Sequence, residues 1–308
     1  MFIQTSYGKI PENELVLKKI PECPKIVLNN YLNLFYDREI DSKTRLIKIY
    51  DKKIRQIGEI NGENINEDTF RKSIYMGIDS SPHKIKVIKY LNPKLAYFLG
   101  YFYGDGGLKD IRRSYKISGK HDHKMILGDE FRIQIEKNII PLVENIFNIH
   151  VTLRLERIGK GQRLYYINPT SKIIYRYLTK LFELNEGPKK NLKIPKIILD
   201  AGINIRKWFV RGFIDADGDT RASEAYINNK ISSPRIKIRI KEKELLIQLQ
   251  EILNKDFKFG FTGPYSDREN EYYIQTGKKD LLMALKENLF IHPIKSWRLK
   301  RYIKLMGT

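Results

Sequence analysis

Apolar residues recur at helical spacing in two stretches that resemble each other, LAYFLGYFYGDGG at 95–107 and RKWFVRGFIDADGDT at 206–220. Aligned without gaps, Asp105 matches Asp217, an offset of 217 − 105 = 112 residues. Further on, LYYIN at 164–168 is repeated as YYIQT at 272–276, and an apolar-periodic segment follows each copy. Self-similarity at a near-constant offset indicates two copies of one structural unit. We predict the copies at 93–200 and 201–308, after an appended α+β region at 1–92.

Within each copy, the apolar period alternates between 3.6 and 2 in the same order, which predicts helices and strands respectively. The first copy reads helix, strand, strand, helix, strand, strand, helix over 94–104, 113–118, 122–128, 129–148, 149–157, 162–168 and 170–184. The second reads the same over 205–216, 219–228, 234–240, 241–254, 256–262, 271–276 and 278–289, before a basic extension at 295–305. This order predicts an α+β fold built from tandem αββαββα repeats.

The charge balance points to a polyanionic partner. The 308 residues include 57 Lys and Arg against 36 Asp and Glu, a formal net charge of +21. Such an excess favours nucleic acid first and an anionic membrane surface or acidic protein second, with a basic protein that has no such partner as the alternative. The single cysteine, Cys23, excludes an internal disulfide. No apolar run approaches the ~20 residues of a membrane span, and no signal peptide is evident, so we expect a cytoplasmic, nucleoid-associated protein.

One predicted strand separates basic from apolar residues by face. Along SPRIKIRIKEK, Arg235, Lys237, Arg239 and Lys241 alternate with Ile236, Ile238 and Ile240. Period two places the isoleucines against helices and leaves the basic face for solvent or a partner. Guarding of a sheet edge by charge is the alternative. With such strands in a basic chain, we predict DNA contacts in the major groove by Arg154, Arg163, Arg221, Arg235, Lys237 and Arg239.

Small residues and acids mark the two repeated helices. Gly100 and Gly104 lie one turn apart, as do Gly212 and Ala216, which permits close packing of the helices. Asp105 and Asp217 would then meet at the two negative helix ends, where divalent cations relieve their repulsion. We predict a Mg²⁺ or Mn²⁺ site with four ligand residues, Asp105, Asp217, Gly104 and Ala216. A structural Asp-Gly helix end is the alternative, whereas the spacing excludes an EF-hand and a P-loop.

These motifs carry a family resemblance. FLGYFYGDG at 98–106 and VRGFIDADG at 210–218 resemble the paired motifs of single-chain LAGLIDADG homing endonucleases. The resemblance implies a pseudo-twofold monomer whose curved antiparallel sheets straddle the DNA major groove. It implies Mg²⁺-dependent cleavage of both strands of a long double-stranded site by Asp105 and Asp217. Asp215 and Asp219 are left with a tuning or loop role.

The family also carries basic or amide residues beside the scissile phosphates. Lys241 matches that role in the second copy, but the 112-residue offset places Asp129, preceded by Gly128, in the first. Lys116, Lys124 and Gln134 are the open substitutes. An RNA intron maturase, or a DNA-binding protein with a decayed active site, is therefore the alternative function. We expect an intron-encoded or free-standing gene rather than an intein.

Overall fold

The computed structural model describes most of the chain from residue 90 onward and short parts before it. The described residues are 2–5, 8–28, 69–71, 84–86, 90–112, 121–158, 162–171, 174–175, 177–187, 189–227, 230–267 and 270–306. The strand predicted at 113–118 lies outside these residues.

Helices and strands alternate in the predicted order. The helices are α1 (Pro93–Asp105), α2 (Arg132–Gln134, Ile135–Ile139 and Ile140–Phe147 in succession), α3 (Lys196–Leu199), α4 (Ile203–Asp217), α5 (Lys243–Lys255), α6 (Lys278–Lys286) and α7 (Pro293–Leu305), with a π-helical turn at Tyr177–Leu181. The strands are β1 (Phe2–Thr5), β2 (Gly8–Pro11), β3 (Ile26–Val27), β4 (Thr69–Arg71), β5 (Lys84–Lys86), β6 (Tyr90–Leu91), β7 (Gly106–Arg112), β8 (His121–Asp129), β9 (Arg154–Ile158), β10 (Gln162–Ile167), β11 (Gly218–Ile227), β12 (Lys230–Ile240), β13 (Thr262–Ser266) and β14 (Tyr272–Thr276).

Two four-stranded antiparallel sheets repeat one topology. The first has the order β7-β8-β10-β9 and the second β11-β12-β14-β13. In each, the first strand follows directly from a helix that ends at an Asp-Gly pair. The α+β class and the tandem repeat predicted from the sequence are thus confirmed.

The two helices that carry the Asp-Gly motifs pack against each other. Gly100 and Gly212 lie at the contact, where a methyl group on either would overlap the backbone of the other helix, at Phe209 and Tyr97 respectively. Only glycine allows this approach. Because α1 and α4 cross at these glycines, their carboxyl ends, and the two aspartates, come together.

The core lies between the helices and one face of each sheet. Ile236 and Ile238 are fully buried on β12, and Leu127 and Ile167 are buried in the first sheet. Most of the buried hydrophobic residues form one cluster that includes side chains of both copies. The alternation predicted for 234–240 is therefore confirmed at its two central isoleucines.

One predicted strand, at 256–262, is wrong. Phe257, Phe259 and Phe261 alternate and are buried, which imitates a strand. The backbone between them is not extended, because Lys258 has a φ of 64°, in the left-handed region. The strand begins instead at Thr262. A milder difference concerns Pro141, where α2 continues through a π-helical segment at Ile135–Ile139 and does not break.

The described amino-terminal residues contact both copies. Ile10 is buried with Phe131 of the first copy and Ile294 of the second. Trp297 Nε1 donates to Glu14 at 2.6 Å, and Lys94 donates to Glu22 at 2.7 Å. This part of the appended region therefore packs on the repeat.

Candidate functional site

Asp105 and Asp217 lie side by side where the two motif helices end. A methyl group added at Gly104, next to Asp105, would lie 3.1 Å from Asp217 Oδ2. Desolvation by the surrounding protein, followed by the charges of Asp217 and Asp129, raises the pKa of Asp105 to about 7, although its side chain keeps contact with solvent. Desolvation also raises the pKa of Asp217. The helices thus bring together the two acids that the sequence pairs. Ionisation of both carboxylates is unfavourable there, and a bound cation would favour it.

Two lysines reach the same place from opposite sides. Lys189 Nζ donates to Tyr103 O at 2.8 Å and also to Gly104 O. Lys295 Nζ donates to Asp215 O at 2.6 Å and to Ala216 O at 2.7 Å. Each lysine therefore caps the carbonyl end of one motif helix, where positive charge is favoured.

Both lysines act electrostatically on the acids. Their charges oppose the rise in pKa at Asp105 and at Asp217. Burial in turn lowers the pKa of Lys189, while the two aspartates oppose that change. Sequence reasoning missed this pair, although the offset 295 − 189 = 106 is close to that of the later repeated segments.

Lys241 lies at the end of a strand of the second sheet. Its side chain is exposed, directly after β12. Its counterpart in the first copy is not the residue that the sequence offset predicts. Gly106 pairs with Leu127 and Gly218 with Ile238, so the offset on this strand is 238 − 127 = 111. Asp129 therefore corresponds to Ile240, and Lys241 to Glu130. The catalytic role of Lys241 stays a prediction.

The suggested substitutes in the first copy differ in location. Gln134 is fully buried in α2, where its Nε2 lies 3.4 Å from the Tyr97 hydroxyl, so it does not reach a groove surface. Lys124 is half-buried on β8, and Lys116 lies outside the described residues.

Asp215 and Asp219 make structural contacts. Asp215 is fully buried and accepts hydrogen bonds from the Tyr97 hydroxyl at 2.7 Å and from the His292 amide at 2.8 Å. Burial raises its pKa. Asp219 pairs with the buried Arg298 and, at 3.4 Å, with Arg221. These two acids hold α7 against the second motif helix and β11.

The second sheet presents a basic and aromatic face. Arg221 pairs with Arg235 across β11 and β12, and Lys237 pairs with Gln275 across β12 and β14. Cross-strand partners share one face. Arg239 lies on that face too, opposite Tyr273. Four of the six predicted DNA contacts are therefore adjacent to one another.

Acidic side chains temper this basic face. Asp267 accepts a hydrogen bond from Lys237 Nζ at 3.1 Å and forms an ion pair with Arg239 Nη2 at 2.9 Å. Lys237 Nζ also lies 3.5 Å from the centre of the Tyr273 ring. Such pairs hold the long side chains in defined positions.

The two arginines predicted in the first sheet lie on opposite faces. Arg154 pairs with Tyr166, whereas Arg163 shares the side of β10 that carries the buried Ile167. Both are exposed. This register places them apart, because alternate residues of a strand point to opposite faces. DNA contact by Arg154 and by Arg163 stays a prediction.

The donor set fits a divalent cation. In the described part of the chain, no group of three or more His, Cys, Asp and Glu side chains could hold a metal. Asp105 and Asp217 offer two carboxylates, which would suit Mg²⁺ or Mn²⁺ completing its shell with water and substrate phosphate. The ammonium groups of Lys189 and Lys295 lie at the carbonyl ends of the two motif helices, which indicates that this site accommodates positive charge. Ligation by Gly104 and Ala216 stays a prediction.

The fold and site define a class of protein: a tandem αββαββα repeat with two acids at the junction of its central helices and a basic sheet face. None of the helices in the described ranges combines the length and apolarity needed to cross a membrane. No family model matches the sequence.

The chain is similar in structure to solved LAGLIDADG homing endonucleases, the family that its motifs resemble. I-DmoI in complex with DNA and Ca is 20% identical, covering 68% of this chain and 97% of that chain, with a TM-score of 0.48. I-WcaI bound to its DNA recognition sequence is 14% identical, covering 89% and 98%, with a TM-score of 0.47. The meganuclease I-AabMI bound to uncleaved DNA is 13% identical, covering 70% and 90%, with a TM-score of 0.45.

Proposed function

We propose that this protein is a homing endonuclease of the LAGLIDADG type that hydrolyses both strands of a specific double-stranded DNA site with Mg²⁺ or Mn²⁺. The observation that carries the proposal is the meeting of Asp105 and Asp217 at the crossing of two glycine-packed helices. A structural Asp-Gly helix end would need neither a partner acid nor two converging lysines. DNA is the substrate that joins this acidic floor to the basic sheet face.

Each residue has a defined part in the reaction. Asp105 and Asp217 would hold the metal, which supplies an activated water and charge neutralisation at the leaving oxygen when bound. Lys189 and Lys295 keep both carboxylates more easily ionised and place positive charge where phosphates would lie. The protein would act as a monomer. Its basic sheet face would bind the major groove through Arg221, Arg235, Lys237 and Arg239.

The test begins with finding a target. Wild-type protein and Asp217→Asn are incubated with Mg²⁺ and a randomised DNA library that includes the flanks of its own gene, and new DNA ends are sequenced. We expect wild-type protein alone to produce ends at one recurrent sequence. Absence of cleavage of every target, or equal cleavage by Asp217→Asn, would contradict the proposal.

A second candidate is a nucleic-acid-binding protein, a maturase or a decayed nuclease, on the same fold. The observation that favours it is at the end of β8, where Asp129 and Glu130 occupy the positions that Ile240 and Lys241 occupy in the second copy. The first copy thus has an acid where the second has a lysine. Binding of DNA or intron RNA that is unchanged in the Asp105→Asn, Asp217→Asn double variant, without any nicking by wild-type protein, would support this candidate.

A further inference from the structure

A buried polar chain links the two copies behind the acidic site. Tyr101 of α1 donates to Asp129 Oδ2 at 2.9 Å, and the Phe131 amide donates to Asp129 Oδ1 at 2.7 Å. His292 Nε2, from the second copy, lies 3.3 Å from the same Asp129 Oδ2. Asp129 is buried and His292 is fully buried. A carboxylate at this depth is retained only where its partners compensate for lost water.

The hydrogen bonds of His292 assign its tautomer. Its Nδ1 accepts from the Ile294 amide at 3.1 Å and from the Lys295 amide at 3.4 Å, so His292 caps the start of α7. An accepting Nδ1 leaves the ring proton on Nε2, which faces Asp129. Within the described residues, Nε2 lies 3.3 Å from Asp129 Oδ2, at ion-pair distance but without the geometry of a hydrogen bond. The ring also meets Phe131 edge-on, with centroids 5.6 Å apart.

Asp129 accepts a hydrogen bond at each carboxylate oxygen, from Tyr101 and from the Phe131 amide. Burial raises its pKa, whereas the charge of Lys295 and the Phe131 amide lower it. The Tyr101 hydroxyl stays protonated, since burial and Asp129 raise its pKa well above the usual range. Tyr101 therefore donates to Asp129 Oδ2, and His292 Nε2 lies 3.3 Å from the same oxygen.

The capped turn carries a residue of the proposed active site. Lys295 lies three positions after His292 and extends to Asp215 O and Ala216 O, beside Asp217. The His292 amide is in turn held by Asp215. The first copy lacks this arrangement in its described part, because Lys189 follows an irregular segment and the next helix begins at Lys196.

We propose that Asp129 and His292 form a positioning pair that spans the two copies and fixes Lys295 against the carbonyl end of the second motif helix. The inference rests on the proposed function for its catalytic consequence, but the geometry of Lys295 is independent of it. An acid of the first copy thereby serves the second. Both residues are buried, so they act through Lys295 and not by direct contact with DNA.

The experiment compares Asp129→Asn and His292→Asn with Asp256→Asn. Asparagine at 292 keeps a helix cap but is too short to reach Asp129. Asp256, buried beside Arg206 at 2.7 Å, is a matched control for losing a buried acid far from this chain of contacts. The first readout is the side-chain ammonium resonance of Lys295 in ¹⁵N-lysine-labelled protein, assigned by its disappearance in Lys295→Met.

We expect both positioning variants to shift or broaden this resonance through exchange with water, and Asp256→Asn to leave it unchanged. An unchanged resonance in Asp129→Asn would overturn the inference, whether or not the protein cuts DNA. This arm separates failure of the inference from failure of the proposed function.

The second readout is strand-resolved nicking of the cleaved site. We expect Asp129→Asn and Lys295→Met to slow the same strand roughly 10-fold or more, in the range of residues that orient active-site groups. Lys189→Met should slow the other strand. The Asp129→Asn, Lys295→Met double variant should be no slower than Lys295→Met. Equal slowing of both strands by Asp129→Asn would indicate a general structural defect and contradict the inference.

Discussion

At the level of single residues, the site is defined by two neighbouring aspartates, whose ionisation is unfavourable, and by the lysines beside them. Asp105 and Asp217 stand at two negative helix ends, with Lys189 and Lys295 as their cationic neighbours. The aspartates are evident from sequence because they recur in one motif. The lysines are not, because they lie outside the motifs and their roles depend on where the chain returns to the helix ends.

The raised pKa of Asp105 predicts a pH-dependent stability. An unfolded aspartate ionises near pH ~3.9, whereas Asp105 in the folded protein has a pKa of about 7. Between these values the folded state binds more protons, so its stability falls as pH rises. Asp105→Asn removes this loss, and we expect its melting temperature in EDTA to exceed that of wild type at pH 8 by on the order of 2 °C.

The gain should become small near pH 4, where the folded aspartate is uncharged and the unfolded one is only partly ionised. Thermal unfolding across pH 4–8 checks this, with Asp200→Asn, an exposed aspartate after α3, as the control. A difference between wild type and Asp105→Asn that is the same at both ends of the range would contradict the account.

At the level of elements, the fold depends on the contact between α1 and α4. Gly100→Ala would push a methyl group into the Phe209 backbone, which cannot move like a side-chain end. We expect a loss of about 1–3 kcal/mol or more in the free energy of unfolding, measured by urea denaturation.

Gly107→Ala is the matched control, because no atom outside its chain neighbours lies within 4 Å of the added methyl group. Similar stability losses in the two alanine variants would mean that helix packing at Gly100 is not the cause.

The elements also show where sequence periodicity suffices and where it fails. Ile236 and Ile238 of β12 are buried as predicted, since a strand with one covered face obeys period two. Phe257, Phe259 and Phe261 obey the same period without a strand, because an irregular segment can also bury alternate residues. The counterpart of Lys241 was misplaced by one residue, since a fixed offset cannot detect a loop of different length.

At the level of the whole molecule, the register of the strands decides which face of each sheet carries the basic side chains. Arg154 and Arg163 test this, because they are exposed on one sheet but on opposite faces. We expect Arg154→Gln to weaken DNA binding and to reduce the slope of log K against log salt by about 0.9 if the contact is to phosphate. Fluorescence anisotropy at several salt concentrations measures both quantities.

Arg163→Gln carries the same charge change and should alter the affinity and the slope less. An equal effect of the two substitutions would mean that net charge, and not a particular face, governs binding.

The central claim is that Asp105 and Asp217 together form one metal-dependent centre for cutting both strands of DNA. It is tested most directly by cleavage of supercoiled plasmid bearing the selected site, with binding measured in parallel. We predict that wild-type protein with Mg²⁺ linearises the plasmid, whereas the Asp105→Asn, Asp217→Asn double variant binds it and leaves it supercoiled. Linear product from the double variant, or intact plasmid with bound wild-type protein, would contradict the account.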